Sequence, residues 1–210
     1  MILVNTAREY VEKWHNYQEL SPLAYFLNQI HPLPAGAIGH INKESFSVSV
    51  AKGKYLISPF NKNENLYLIL KGVVRGYIKE DGKEITTWIN EENEVVGSIR
   101  NLGLKIITEE YLQALEDSDL IAIPKTLIDY LYEHFPELNI VGRILLEDNY
   151  RGAEERAYIC RIPSAEKRYK RFLETQGSLL NRIPLKYIAS YLGITLETLS
   201  RVRAKQATQK

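Results

Sequence analysis

The sequence predicts an α+β protein in which an antiparallel β-sandwich or barrel lies between helical segments. Three observations lead to this prediction. Short β-branched and aromatic runs separated by turn signals fill the chain from Phe46 to Pro124, which is typical of antiparallel strands. Apolar residues recur at helical spacing before Pro34 and again after Pro124. The 45% hydrophobic and 25% charged content of the 210 residues suits a globular chain with a sizeable core.

The N-terminal segment, residues 1–35, is predicted to hold two helices. Apolar residues at helical spacing predict an amphipathic helix from Thr6 to about Gln18. Ser21 and Pro22 then open a second helix, because serine caps a helix and proline fits its first turn. The Pro-rich and Gly-rich segment 31–36 is expected to end it.

Residues 36–124 are predicted to form the β-domain. Strands are expected near 46–50, 54–58, 65–71, 73–80, 83–89 and 111–123. Asp81-Gly82 predicts a tight hairpin turn and Lys71-Gly72 a further turn.

Residues 125–162 are predicted to be helical, with a short helix from Lys125 to Phe135 and a longer one from Pro136 to about Cys160. The longer helix carries a stripe at intervals of four and three residues. Its members are Leu146, Tyr150, Ala153, Ala157 and Cys160. Two interpretations stay open: the stripe pairs with a second copy of the chain, or it packs on the β-domain.

The last segment, residues 163–210, is helical and basic. The segment 162–164 breaks the preceding helix, Ser164 begins a helix that runs to about Glu174, and Gln176 to Ser178 is expected to be a linker. After Cys160 there are 11 Lys and Arg against three acids, or +8, whereas the first 160 residues carry 16 − 23 = −7. A basic end on an acidic body favours a polyanionic partner, although a solvated basic surface gives the same count.

Residues 183–203 carry the functional signal. Leu185, Ile188, Ala189 and Leu192 form the apolar face of a short helix, Gly193 allows a turn with positive φ, and Thr195 caps a second helix. Small Ala189 lets the two helices approach each other at a tight corner. With Ile194, Leu199 and Val202 facing inward, polar side chains are left outside: Glu197, Thr198, Ser200, Arg201 and Arg203. Such side chains bind base edges and phosphates, although an ordinary helical hairpin remains the simpler alternative.

This segment resembles the helix-turn-helix of the CRP/FNR family, in the form common in Bacteroidetes. The resemblance extends over roughly residues 45–205, through the glycine-marked run 65–77 and the segments 81–88 and 115–118. It implies a cyclic-nucleotide-binding jelly roll, or β-roll, then a dimerisation helix and a DNA-binding domain. The family's Arg-Glu-Thr-x-x-Arg motif is matched by Glu197, Thr198 and Arg201, while Leu196 replaces the first arginine.

The resemblance implies a homodimeric transcription regulator that binds double-stranded DNA, with RNA polymerase as a candidate further partner. The expected DNA-binding residues are Lys186, Thr195, Glu197, Thr198, Ser200, Arg201, Arg203 and Lys205, and the expected dimer seam is Leu146, Tyr150, Ala153 and Ala157. The family's β-hairpin wing has no counterpart in residues 204–210, so we expect fewer phosphate contacts and a weaker salt dependence. The alternative is a sensor or interaction module that has kept the fold and lost DNA binding.

The effector pocket of the family is altered. Its candidate residues are Val96, Gly97, Ser98, Arg100, Thr108 and Glu109. Ser98 occupies the position of the ribose-binding glutamate, and Thr108-Glu109 the position of the phosphate-binding Arg-Ser pair. Because a carboxylate repels a cyclic phosphate, we expect no response to cAMP. Another ligand, or the domain's own side chains, then occupies the cavity.

Several function classes are disfavoured. The four histidines are scattered, Cys160 has no evident histidine partner, and no metal-binding or phosphate-cradling motif occurs, so we expect no enzyme, no metal and no cofactor. No apolar run is long enough for a signal peptide or a membrane span. Together with the single cysteine, this favours a cytoplasmic protein.

Overall fold

The computed structural model describes residues 3–4, 17–59, 62–106 and 108–207. Apart from its last two residues, the helix predicted from Thr6 lies outside this part of the chain. The strands are β1 (Leu3–Val4), β2 (Phe46–Val50), β3 (Tyr55–Ile57), β4 (Asn65–Lys71), β5 (Val74–Glu80), β6 (Lys83–Asn90), β7 (Val95–Val96), β8 (Tyr111–Ala114) and β9 (Ser118–Pro124). The helices are α1 (Pro22–Ile30), α2 (Ala35–Glu44), α3 (Lys125–His134), α4 (Pro136–Arg161), α5 (Ala165–Gln176), α6 (Leu185–Tyr191) and α7 (Leu196–Ala207).

The β-domain consists of two antiparallel sheets. One has the strand order β1-β2-β9-β4-β7 and the other the order β3-β8-β5-β6. Buried aliphatic side chains from both sheets, such as Ile69, Val74 and Leu112, fill the space between them. We call this domain the β-roll. Strand β6 ends the second sheet, so one of its edges has no strand partner among the residues that the structure describes.

Two turns that connect strands have the predicted geometry. Asp81 and Gly82 both adopt positive φ, 48° and 74°, as a type I′ hairpin turn requires, and they connect β5 to β6. Gly72 has φ 102°, and a Cβ atom there would lie 2.2 Å from the Ser118 hydroxyl oxygen. Only glycine fits this turn, because the backbone adopts a positive φ and there is no room for a Cβ atom.

Helices cover the first sheet on its outer side. Leu23 of α1, Ile41 of α2, Leu131 of α3 and Val141 of α4 share one buried cluster with Ile121 of β9. The first turns of the long helix α4 are therefore anchored to the β-roll.

The structure corrects three details of the prediction. The segment 31–36 ends α1 as predicted, but a helix that was not predicted, α2, begins at Ala35 with Pro34 at its N-cap. The strand expected over 111–123 is two strands, because residues 115–117 turn between β8 and β9. The linker expected from Gln176 to Ser178 is the end of α5 followed by a 3₁₀ helix, Gly177–Asn181, whose Leu179 is buried.

Candidate nucleic-acid interface

Helices α6 and α7 form the predicted corner. Gly193 has φ 63° and follows α6, where its amide donates to the carbonyl of Ser190 at 3.1 Å and the amide of Ile194 donates to the carbonyl of Ala189 at 3.0 Å. These two bonds are the Schellman pattern that satisfies the end of a helix. Ala189 is 2% exposed inside the corner, in line with the small residue expected there.

Helix α5 holds the corner from behind. The Arg168 guanidinium donates to the carbonyl of Leu192 at 2.9 Å and to that of Gly193 at 3.3 Å. The same side chain donates to the carbonyl of Ile162 at 2.6 Å. Arg168 thus ties the end of α4, helix α5 and the turn between α6 and α7 into one unit, a role that the sequence pattern did not reveal.

Helix α7 shows its predicted polar face to solvent. Leu199 is fully buried and Val202 packs against the same cluster. On the other side Glu197, Ser200 and Arg201 are exposed, while Thr198 and Arg203 are half-buried. Leu196, which stands where the family motif has arginine, is 42% exposed.

The first turn of α7 is capped by its own polar residues. The Thr195 hydroxyl accepts from the amide of Thr198 at 3.2 Å. Hydrogen bonds from the backbone amide of Glu197 and from Thr195 lower the pKa of the Glu197 carboxyl. Glu197 is therefore an ionised acceptor at neutral pH, as required to accept from the amino group of cytosine.

The remaining cations of the predicted interface differ in their surroundings. Lys186 is exposed on α6, where its ammonium lies 4.8 Å from the ring centroid of Tyr187. Lys205 is exposed on α7 and lies 3.0 Å from a carboxylate oxygen of Glu166 on α5. Such an exposed ion pair contributes little to stability.

The stripe on α4 is exposed along its whole length. Leu146 and Tyr150 are 62% and 65% exposed, and Ala153, Ala157 and Cys160 are exposed as well. Packing of the stripe on the β-roll, one of the two interpretations left open by the spacing, is therefore wrong. Leu146 and Tyr150 also line a groove of about 540 Å³ between α3 and α4, together with Tyr132 and Gly142.

The predicted effector-pocket residues differ in their exposure. Val96, Ser98 and Thr108 are buried, whereas Arg100 and Glu109 are exposed. Val96 and Gly97 line a cavity of about 250 Å³ that also touches Ile99 on the loop and Arg156 on α4. A Cβ atom at Gly97 would lie 2.5 Å from Cδ2 of Leu66, which shows how closely this loop packs.

Two further side chains shape this region: Glu110, whose carboxylate we expect to repel a phosphate, and Asn63, which the sequence did not single out. The Glu110 carboxylate accepts from the indole nitrogen of Trp88 at 2.8 Å and from the Thr87 hydroxyl at 3.2 Å. Asn63 is 2% exposed and its amide donates to the carbonyl of Ser98 and to the side-chain oxygen of Asn101. The loop that contains Ser98 and Asn101 is therefore held by the neutral side-chain amide of Asn63, and the Glu110 carboxylate places a negative charge nearby.

The helix-turn-helix lies against the β-roll through a charged cluster that the sequence also did not indicate. Arg182 donates to carboxylate oxygens of Glu91 at 3.0 Å, Glu92 at 2.7 Å and Glu116 at 2.7 Å. The hydrogen bond from Arg182, helped by the backbone amides of Gly72 and Glu92, lowers the pKa of Glu92 to about 2. We call this group, Arg182 with the three glutamates, the glutamate clasp.

The described residues contain neither a candidate metal site nor a candidate membrane-spanning helix. No group of three or more His, Cys, Asp or Glu side chains among them is placed to bind a metal ion. No helix in this part of the chain is long and apolar enough to cross a bilayer.

Comparison with known proteins agrees with the geometry. Residues 47–135 match the model of the cyclic nucleotide-binding domain family. The chain is 28% identical over 165 residues to the fumarate and nitrate reduction regulatory protein of Vibrio cholerae, covering 73% of this chain and 65% of that protein. It is 30% identical over 139 residues to the HTH-type transcriptional regulator ArcR of Staphylococcus haemolyticus, covering 62% and 59%. The chain thus spans somewhat less than two thirds of these two relatives.

Solved structures show the same fold. FixK2 from Bradyrhizobium japonicum superposes with a TM-score of 0.69 at 20% identity, over 79% of this chain and 85% of that one. The c-di-GMP responsive regulator CLP of Xanthomonas campestris superposes with a TM-score of 0.65 at 18% identity, over 84% and 93%. With its β-roll, its long helix and its C-terminal helix-turn-helix, the chain has the fold of these solved regulators, and residues 47–135 match the cyclic nucleotide-binding domain.

Proposed function

We propose that this protein is a homodimeric transcription regulator that binds a specific sequence of double-stranded DNA and does not respond to cAMP. The observation that carries the proposal is the exposure of the polar face of α7. Glu197, Ser200 and Arg201 on this face are exposed to solvent, and α7 is the second helix of the two-helix corner. A helix that presents such side chains fits the major groove, where arginine donates to guanine and glutamate accepts from cytosine.

The exposed stripe of α4 supports the homodimer. Leu146 and Tyr150 expose large apolar surfaces, and Ala153 and Ala157 leave room for a second helix to approach. A soluble chain covers such a stripe when an identical stripe packs against it, which produces a two-fold axis along the helix pair. Two copies of α7 would then bind half-sites about one DNA turn apart, near 34 Å.

The charges around the altered pocket support the absence of a cAMP response. Glu109 and Glu110 occupy the stretch where the family carries its phosphate-binding pair, and Glu110 is held in place by Trp88. Arg156 lines the nearby cavity, but its positive charge already interacts with Glu94, and Glu155 lines the same neighbouring cavity as these two residues. A cyclic phosphate entering here would meet more negative than positive charge.

Selection of DNA from a random pool by the purified protein tests the proposal. We expect a pseudo-palindromic consensus, and we expect R201A to lose about 1–3 kcal/mol of discrimination at the base pair that Arg201 contacts. K43A is the matched control, because it also removes one positive charge but lies on α2, where Lys43 is 76% exposed. Absence of any salt-sensitive, sequence-preferring binding by the wild type would refute the proposal.

A further inference from the structure

The hydroxyl of Ser190, on α6, caps the free edge of strand β6. It accepts from the amide of Thr86 at 2.9 Å and donates to the carbonyl of Glu84 at 3.1 Å. These are the edge groups that a further strand would otherwise pair with, since β6 is hydrogen-bonded to β5 on its other side. One serine of the helix-turn-helix therefore completes the sheet of the β-roll.

Beside Ser190, Tyr187 covers a buried cation. Arg75 of β5 is 1% exposed, and its guanidinium carbon lies 4.1 Å from the ring centroid of Tyr77 and 3.9 Å from that of Tyr187. Its nitrogens also donate to Gln113, to Thr86 and to Glu84. Tyr187 is thus one wall of a cation–π sandwich whose other parts belong to the β-roll, and such contacts gain strength when water is excluded.

The contact continues through the hydrophobic core. Val73, Ile89 and Leu115 of the β-roll share one buried cluster with Ile188, Leu192 and Leu199 of the helix-turn-helix. The DNA-binding unit is therefore fixed covalently, where α4 leads into α5, and non-covalently in this core, at the glutamate clasp and on β6. The polar face of α7 stays exposed in this arrangement, so the docked state is compatible with binding DNA.

We propose that Tyr187 and Ser190 are positioning residues that fix the orientation of α7 through β6 and Arg75, so that the β-roll determines which half-site spacing the dimer accepts. This inference rests on the proposed function. Inserting one base pair between half-sites shifts one of them by about 3.4 Å and rotates it by about 35°. A pair of helices held rigidly on β6 rejects such a change, whereas a pair that has lost its contacts with β6 and Arg75 is less rigidly oriented and adapts to it.

The inference is tested by measuring the affinity of the full-length protein for two DNA sites that have the selected half-sites but differ by one base pair in the spacer between them. We expect the wild type to prefer one spacing by about tenfold, and Y187L combined with S190A to reduce this preference to about twofold with a lower affinity for the best site. Y187F keeps an aromatic ring over Arg75 and should retain the wild-type preference. S49A is the matched serine control, because the Ser49 hydroxyl bonds Asp119 within the β-roll at 2.7 Å.

Hydrogen exchange measures docking without DNA. The amide of Thr86 should exchange faster in S190A than in the wild type, while S49A leaves it unchanged. An unchanged rate in S190A would overturn the inference even if the wild type bound no DNA, so the two failures are distinguishable. Unchanged spacer preference in the double variant would also overturn it, and so would tighter DNA binding, because docking would then be inhibitory.

Discussion

The glutamate clasp allows a quantitative test of how the helix-turn-helix is fastened to the β-roll. Arg182 and its three partners are only 28–33% exposed, so their interaction is partly shielded from solvent. The fall of the Glu92 pKa from 4.5 to about 2 corresponds to about 3 kcal/mol. Part of this belongs to the amides of Gly72 and Glu92, but removing Arg182 also leaves three carboxylates close together. We therefore expect R182Q to lower the free energy of unfolding by about 2–3 kcal/mol at pH 7.

The effect should depend on pH with a definite sign. Because folding depresses the Glu92 pKa, its stabilisation is complete above the unfolded value of 4.5 and is lost as the pH falls towards 2. The difference between wild type and R182Q should therefore shrink between about pH 5 and pH 2. At pH 7, a loss of this size lowers the melting temperature by about 4–12 °C.

Urea denaturation followed by circular dichroism at several pH values measures both quantities. K43Q is the control, since Lys43 is 76% exposed and pairs only with its exposed neighbour Glu44 among the ion pairs of the described residues; it should change stability by less than about 0.5 kcal/mol. If R182Q matched the wild type at pH 7, or if the difference stayed constant down to pH 3, the clasp would not fasten the two units as described.

Three further outcomes are expected. G76A should lower the free energy of unfolding by about 2 kcal/mol or more in urea denaturation, because its Cβ atom would lie 2.2 Å from Cε2 of Trp88. G39A, on α2 with no atom near its added Cβ, should raise the free energy of unfolding by up to about 1 kcal/mol. Equal effects of the two substitutions would contradict the packing described for Gly76. L146E should convert the proposed dimer to a monomer in sedimentation analysis, whereas a persistent dimer would place the seam elsewhere. Titration calorimetry with cAMP should show no binding, and a saturable signal that R156A abolishes would refute the expectation for the altered pocket.

Local sequence signals were sufficient for most elements of the fold. Strand β4 was predicted over its observed range, 65–71, because an apolar run is bounded by the turn at Gly72. The corner at Gly193 was also predicted, since one glycine with positive φ and one small residue at Ala189 suffice to define it. Helix α2 was missed because Pro34, Gly36 and Gly39 resemble a turn, although proline is well suited to a helix start.

The contacts between the two units could not be predicted from the sequence. Ser190 and Glu84 are 106 residues apart, and Arg182 and Glu92 are 90 residues apart. No periodicity relates such positions, and each side chain alone resembles an ordinary surface residue. The polar face of α7 was easier to predict, because the residues that bury one side of a single helix also define its other side.

Site-directed DNA cleavage tests the central claim, that α7 enters the groove of DNA, most directly. Cys160 is an exposed free cysteine, so C160S provides a background in which S200C carries the single reactive thiol for an iron chelate. We predict cleavage within each half-site of the selected DNA, in two clusters about one helical turn apart, and little cleavage from K43C on α2. Equal, unlocalised cleavage from both positions would contradict the account.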